Sequence, residues 1–557
     1  MRMIQIAYAL ALAGALACVA GQERQDDPHG GTAPIFLYDD GWFEEQGYKA
    51  WDTRARWNAV ADDLKSSVWL TFYVAPENLY HVKNYSTDKT EPIPPRPDPE
   101  YGKKHAALLA GLNECQRLNI PAVLMVRRYA KRREAAPSYE TVEKLLKNYP
   151  CVRALMFAEL GGSRFNEVDE EHLIGFSALA KRQGRKIIWA LYLCPLGQMW
   201  NRMMSEPRWR SLLDEHRDVI VPMWKSVEPY ENMLNWSDCV GLWLSGMTEE
   251  WGFQFDGWYT PNRYAFDRGS WRAKYWPQIY QGSDPSQSSR NTFGPAIMST
   301  PPCLVKDTMI LSALSGARYF ATERLVAFCP HDGGGSLRSV REKTQRLIIR
   351  LGLRQQRDKV AKTIRAAALN PGHAEDLARA GYFHSTRAAT NLLWAAVFGL
   401  DGRAYEADFG VKGRAYDLIP NQGRHYVVPV VPDTNNWPVS SPAPRWITPT
   451  EVADGSVPAI LGKLYPQKFT TDNSNVLVFD AGDLIYITDS REFERTNLEF
   501  TLYSREHRDY TCTYLAHDAT PIEALPVTEQ TESGWKKKFV LFAGCSILLD
   551  ARPQKAP

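Results

Sequence analysis

The residues of this chain best suited to chemistry are carboxylates that close apolar runs. Glu159 is the clearest: Leu155, Met156 and Phe157 show no polar face, as expected of a strand buried on both sides in a parallel sheet, and Leu160-Gly161-Gly162 follows the carboxylate. Glu323 closes Gly316-Ala317-Arg318-Tyr319-Phe320-Ala321-Thr322, and Asp39 and Asp40 close Ile35 to Tyr38 just before Gly41 and Trp42. Asp256 stands between aromatics in Trp251-Gly252-Phe253-Gln254-Phe255-Asp256-Gly257-Trp258. Glycosidic cleavage needs one protonated carboxyl to donate to the leaving oxygen and one ionised carboxylate to attack or to activate water. Glu159, Asp256 and Glu323 are the candidates for those tasks. Asp39 and Asp40 are candidates for binding sugar hydroxyls, and Trp42, Trp251 and Trp258 for stacking on sugar rings. Any one carboxylate alone fits a cap or a brace equally well; three at the mouth of one barrel are harder to explain that way.

That placement requires strands with helices between them. Ile35 to Tyr38 reads as a first strand, followed by helix from Trp51 to Leu64. Strand Val68 to Val74, helix Lys104 to Leu118, strand Ala122 to Val126 and helix Val142 to Leu146 lead into the Glu159 strand. Helix Glu170 to Arg182, strand Ile187 to Leu193, helix Trp209 to His216, and strands Val219 to Met223 and Val240 to Leu244 come next. Helix Lys306 to Leu314 then leads to the last strand, Ala317 to Thr322, and a helix from Val340 to Leu351 ends the series. Eight strands alternating with helices predict a (β/α)8 TIM barrel, an α/β fold whose active site lies at the C-terminal strand ends. The stretch from Ser245 to Val305 is too long for a plain connection, and loops of that length at a barrel mouth are usually functional.

Beyond Asn370 short runs spaced by Gly, Asn, Asp and Pro predict an all-β domain: Leu392 to Val397, Tyr426 to Val431, Val476 to Asp480, Leu484 to Thr488, Leu498 to Tyr503, Cys512 to Ala516 and Val540 to Leu549. Pro-rich Trp437 to Pro449 reads as a strap rather than a strand. The expected organisation is a signal peptide over 1–21, a catalytic barrel over 22–369 and a β-rich domain, a β-sandwich, over 370–557. The signal rests on Arg2, the apolar stretch Met3 to Ala17 and the small residues near Ala20, too short to span a bilayer and followed by polar residues. It predicts export, with cleavage after Ala20 or Gly21 favoured over lipidation at Cys18. No other stretch is long and apolar enough for a membrane span.

A formal net charge of +2, from 66 basic and 64 acidic residues, gives no electrostatic footprint for nucleic acid or an anionic membrane and points to a neutral partner. With 18 tryptophans, several beside polar residues, an oligosaccharide or polysaccharide fits that description. The nine cysteines include no C-x-x-C pair, so once Cys18 is removed the remainder read mostly as buried thiols. His331-Asp332 with Gly333-Gly334-Gly335 has no second histidine at ligand spacing and no following Gly-Lys-Ser/Thr, and reads as a turn near the barrel mouth. With no Gly-x-Ser-x-Gly elbow or dinucleotide fingerprint, a hydrolase with no required cofactor and no metal is expected.

The order and spacing of several stretches resemble glycoside hydrolase family 98. They are Tyr38-Asp39-Asp40-Gly41-Trp42, Met156-Phe157-Ala158-Glu159, Ile187-Ile188-Trp189 with Trp200-Asn201-Arg202-Met203, Val240-Gly241-Leu242-Trp243-Leu244-Ser245-Gly246, Trp251 to Trp258, Met309 to Glu323, and Phe469 to Arg491. The resemblance implies a (β/α)8 barrel with a β-sandwich acting as an inverting endo-glycosidase. Glu159 would be the general acid, and Asp256 and Glu323 would hold and deprotonate the attacking water. It implies an endo-β-1,4-galactosidase releasing blood-group or mucin-type oligosaccharides, with an endo-β-1,4-xylanase on branched xylan as the alternative. Leu160-Gly161-Gly162-Ser163 departs from the blood-group-active pattern. A non-catalytic glycan-binding protein is the rival of another class; three retained carboxylates speak against it, because binding alone would tolerate Gln or Asn there.

Overall fold

Apolar runs of four to seven residues form the eight strands of a closed barrel: β1 (Ile35–Asp39), β2 (Val68–Tyr73), β3 (Ala122–Arg128), β4 (Val152–Ala158), β5 (Lys186–Leu191), β6 (Ile220–Ser226), β7 (Gly252–Phe255) and β8 (Tyr319–Glu323). Each pairs in parallel with its neighbours in the chain, and β1 closes the ring on β8. The structure is a computed structural model that describes residues 33–39, 52–79, 96–128, 136–158, 167–191, 207–226, 239–255, 302–323 and 336–369, with shorter stretches between 424 and 553.

Alternation along the strands separates two cores. Ile35, Leu37, Val123, Met125, Ala154, Met156, Ile188, Ala190, Val221, Met223, Tyr319 and Ala321 fill the barrel interior. The residues between them, such as Phe36, Leu124, Leu155, Phe157, Trp189 and Phe320, pack outward against the helices. A strand that is buried on both faces carries no polar phase, which is why these runs read as uninterrupted apolar sequence.

The helices are α1 (Thr53–Asn58), α2 (Tyr101–Arg117), α3 (Tyr139–Asn148), α4 (Glu167–Arg182), α5 (Pro207–His216), α6 (Pro302–Leu314), α7 (Ser336–Arg350) and α8 (Arg357–Thr363). Asp52 caps α1 and Ser138 caps α3 by accepting from backbone N–H groups of the first turn. The end of α6 shows how a helix is turned back into the sheet. Gly316 N–H donates to Ala313 O and Ala317 N–H to Ser312 O, with Gly316 at φ +97°, a Schellman stop that feeds directly into β8. A Cβ on Gly316 would collide with the Trp243 ring, so the position excludes any larger residue.

One barrel strand differs from expectation. Val240 to Leu244 is helical, and the seventh strand is Gly252–Phe255. Both runs are completely buried, and a short apolar run buried on every side carries no period by which helix and strand can be told apart.

Beyond the barrel, β9 (Ala366–Leu369) lies between β11 (Val430–Val431) and β12 (Arg445–Ile447) in a parallel sheet. The Pro-rich strap therefore contains a strand, because Trp446 and its neighbours extend along β9 and Trp446 meets the buried Trp437 edge-on. A second sheet has the order β10 (Arg424–His425), β14 (Leu477–Asp480), β15 (Leu484–Thr488), β21 (Ser546–Asp550), β17 (Thr511–Leu515), β18 (Pro521–Ile522). A third has the order β13 (Phe469–Thr471), β16 (Leu498–Ser504), β20 (Gly534–Leu541), β19 (Val527–Thr531). The run Val540 to Leu549, expected as one strand, is divided between β20 and β21, which belong to different sheets. Leu392 to Val397 lies outside the described residues.

The central strands of the six-stranded sheet, β15 and β21, are buried on both faces. Ile485, Ile487, Ile547 and Leu549 share a core with Phe539 and Leu541 of the third sheet, while Leu484, Tyr486 and Leu548 join the core of the barrel helices. This explains α6, a helix without a polar face. Lys306 and Asp307 are fully buried on it, and Asp307 accepts hydrogen bonds from the Tyr486 hydroxyl (2.5 Å) and Thr488 Oγ1 (2.9 Å). Beside it Lys343 of α7 ion-pairs with Asp518 and donates to Thr520 Oγ1 at 2.8 Å. Burial pushes the Cys115 thiol up to about 12 and that of Cys151 up to about 11. No helix among the described residues is long and apolar enough to cross a membrane.

Candidate active site

Because all eight strands run the same way, their C-terminal ends meet on one rim. β1 ends at Asp39 and β8 at Glu323, and the two are register partners. Phe255, the residue before Asp256, pairs with Thr322, the residue before Glu323. Ala158, the residue before Glu159, ends β4 beside Ala190 of β5. Four candidate carboxylates thus stand at, or one residue beyond, the same end of the barrel. Around the ring β8 is flanked by β1 and β7, and β4 lies four strand positions away, across the barrel from β8. Glu159, Asp256, Asp40, Trp42 and Trp258 themselves lie outside the described residues, as do the side chains of Asp39 and Glu323 and the turn at His331 to Gly335.

The reassigned seventh strand changes the reading of two residues. Asp256 follows a barrel strand directly instead of sitting within a long loop. Trp251 precedes that strand, at the end of the barrel away from the rim, where its carbonyl accepts from Arg318 N–H and its ring is fully buried in the core. It is a packing residue, and its expected role in stacking on sugar is corrected accordingly.

The same lower end is closed by a charged cluster. Glu250 ion-pairs with Arg318, its Oε2 lies 3.0 Å from Lys186 Nζ, and the Tyr319 hydroxyl donates to it from the barrel interior at 3.1 Å. Burial alone would raise the Glu250 pKa, but Lys186 and Arg318 outweigh it and hold the carboxyl below its ordinary range. Barrel enzymes do their chemistry at the C-terminal rim, so this buried cluster is read as part of the scaffold.

Behind the rim, the residue before Asp39 is held from two sides. The Tyr38 hydroxyl donates to Gln345 Oε1 at 2.8 Å, and the Arg341 guanidinium lies 4.0 Å from the centre of the Tyr38 ring. From α1, Arg56 Nη2 donates to the carbonyls of Tyr38 (3.2 Å) and Thr71 (3.1 Å) while the guanidinium covers the Phe72 ring at 5.1 Å. Isolated arginines in helices carry no spacing signal, and sequence reasoning missed them. Deeper in the barrel Gln254 is 1% exposed with no hydrogen-bond partner at Oε1. Among the described residues no group of His, Cys, Asp and Glu could hold a metal ion.

The strands that end at Asp39 and Glu323, or one residue before Glu159 and Asp256, all finish at the same end of one closed parallel barrel, the end at which barrel enzymes carry their active sites. The model of glycosyl hydrolase family 98 matches residues 35–327, which span all eight strands and every candidate carboxylate. Among solved structures, the catalytic module of a family 98 glycoside hydrolase from Streptococcus pneumoniae TIGR4 superposes with a TM-score of 0.58 at 14% identity, covering 93% of this chain and 98% of that one. The same module in complex with the H-disaccharide blood group antigen and with the LewisY pentasaccharide blood group antigen gives TM-scores of 0.57 and 0.58 over the same shares of both chains. These likenesses, at that identity, speak to the fold. No curated protein sequence matches the chain. The matched length exceeds half of the chain, and the chain belongs to glycosyl hydrolase family 98.

Proposed function

We propose that this glycoside hydrolase is an exported, endo-acting, inverting enzyme, with Glu159 as general acid and Asp256 and Glu323 as the carboxylates that hold and deprotonate the attacking water. The observation that carries the reading is the ring order: the strand leading to Glu159 lies across the barrel from the adjacent strands leading to Asp256 and Glu323. An acid on one side of the scissile bond can protonate the leaving oxygen while a base on the other side draws a proton from water on the opposite face of the sugar. Inversion needs the two carboxyl groups roughly 6.5–9.5 Å apart so that the water fits between them. Neighbouring strands in a sheet stand only about 4.8 Å apart, so facing strands suit that spacing better than adjacent ones. Asp39, next to Glu323 in register, is assigned to sugar hydroxyls, with Asp40, Trp42 and Trp258 nearby in sequence.

The substrate class is proposed from the relatives. The Streptococcus module forms complexes with blood group oligosaccharides, and with the family's resemblance this supports our reading of the chain as an endo-β-1,4-galactosidase. The test is product release by residues 22–557 from A, B and H blood-group glycans and mucin beside arabinoxylan. Oligosaccharide from the glycans, with an inverted anomeric centre in the first-formed product, supports the assignment. Release from xylan alone moves the substrate to plant polysaccharide and leaves the mechanism in place, and a retained anomer excludes the roles given to Asp256 and Glu323.

A further inference from the structure

We infer that Arg56 is a positioning residue for the substrate end of the rim, acting through the peptide that joins Tyr38 to Asp39. The inference rests on the glycosidase reading and on the assignment of Asp39 to a sugar hydroxyl.

The register between β1 and β2 runs through Tyr38 and Leu70, so the ladder stops one residue below the rim. At that point a side chain replaces it. One guanidinium nitrogen, Arg56 Nη2, donates to Tyr38 O at 3.2 Å and to Thr71 O at 3.1 Å, bridging the two strands where their own hydrogen bonding ends. α1 is itself fixed by the Asp52 cap, whose Oδ1 accepts from Ala55 N–H at 2.9 Å, and the Arg56 guanidinium rests on the Phe72 ring. The donor is therefore anchored at both ends. On the opposite side Arg341 and Gln345 of α7 hold the Tyr38 ring. Tyr38 O belongs to the same planar peptide as the Asp39 N–H, so fixing that carbonyl fixes where Asp39 leaves the strand beside Glu323.

Arg rather than Lys is what this geometry needs. Both bonds leave one planar nitrogen whose two N–H directions are set by the guanidinium plane, whereas an ammonium is a point charge on a flexible stem with freely rotating donors. Charge-assisted hydrogen bonds to two carbonyls at a strand end define orientation as well as contributing stability.

The experiment is steady-state kinetics on the glycan that wild type cleaves, for Arg56→Lys, Arg56→Met, Asp39→Asn and Arg56→Lys/Asp39→Asn, with thermal melts of each. Arg56→Lys keeps the charge and most of the packing stem and is expected to melt near wild type, with Arg56→Met melting lower. The expected result is a KM raised about tenfold in Arg56→Lys with kcat within about twofold, and a double variant no worse than Asp39→Asn alone. An Arg56→Lys with wild-type KM beside an Asp39→Asn whose KM has risen overturns the inference and leaves the glycosidase reading intact, as does a double variant whose KM is the product of the single effects. A wild-type protein that releases nothing from any glycan, or an Asp39→Asn with unchanged KM, removes the reading beneath it and the inference with it.

Discussion

Asp39 and Glu323 are register partners at the last residues of adjacent strands, with Tyr38 paired to Thr322 just below them. One is assigned to binding and the other to proton transfer, and the assignments separate in kinetics. Glu323→Gln removes a group that acts only as the water attacks, so kcat should fall by about 10²–10⁴ with KM little changed. Asp39→Asn should act mainly on KM. Equal losses in kcat from both would mean that the division of labour between β1 and β8 is wrong.

The cluster at the lower end predicts the opposite pattern. Glu250 neutralises Arg318 and Lys186 in a buried setting, and Glu250→Ala leaves both without their shared carboxylate. Breaking a buried pair from one side costs roughly 3–5 kcal/mol. Urea denaturation should show a loss of that order, while kcat of the folded protein at low temperature stays near wild type. A large fall in kcat with unchanged stability would place Glu250 in the chemistry instead.

The C-terminal sheet should behave as part of the barrel's own structure. Asp307 is fully buried on α6, the helix that leads into the Glu323 strand, and its acceptors are satisfied by Tyr486 and Thr488 of β15. Ending the chain after residue 369 strips those donors and uncovers an apolar helix face. The truncated protein is expected to be insoluble, and Tyr486→Phe to lose about 1–3 kcal/mol in a single cooperative transition. A soluble, active 22–369 fragment would contradict this.

Acid should loosen the same interface. Burial pushes the Asp518 carboxyl up, but hydrogen bonds from Lys343 and Thr520 outweigh it and bring it down to about 2. An unfolded aspartate titrates near 3.9, so the folded state is favoured above about pH 4 and loses that advantage as pH falls towards 2. The stability gap between wild type and Lys343→Met, read from urea midpoints, should shrink across this window. A gap that stays constant down to pH 2 would show that the pair contributes nothing through its charge.

Much of this architecture was legible in the sequence because buried parallel strands advertise themselves. Ile35 to Tyr38 and Ala122 to Val126 are short, apolar and followed by polar residues, and α3 between the strands buries Val142, Leu145 and Leu146 at helical spacing. Val240 to Leu244 misled because it is a buried helix with no exposed side to interrupt it. Gly252-Phe253-Gln254-Phe255 gives only a weak strand signal, because it is four residues long and includes a glycine and a glutamine. Trp251 suggests a functional role through its place in the aromatic segment around Asp256, but its position just before a strand makes it core. The carboxylates were legible through their position after apolar runs. Arg56, Arg341 and Gln345 were not, since their partners are 15 to 307 residues away in sequence and only the folded barrel brings them behind Tyr38.

The most direct test of the central claim is the kcat of Glu159→Gln on two substrates with the same sugar, the natural glycan and an aryl glycoside whose leaving group is acidic enough to depart without a proton. The account predicts a fall of about 10²–10⁴ on the glycan and activity near wild type on the aryl glycoside, because the only step removed is protonation of the leaving oxygen. Wild-type release of oligosaccharide from the glycan by Glu159→Gln would contradict the assignment of Glu159 as the general acid.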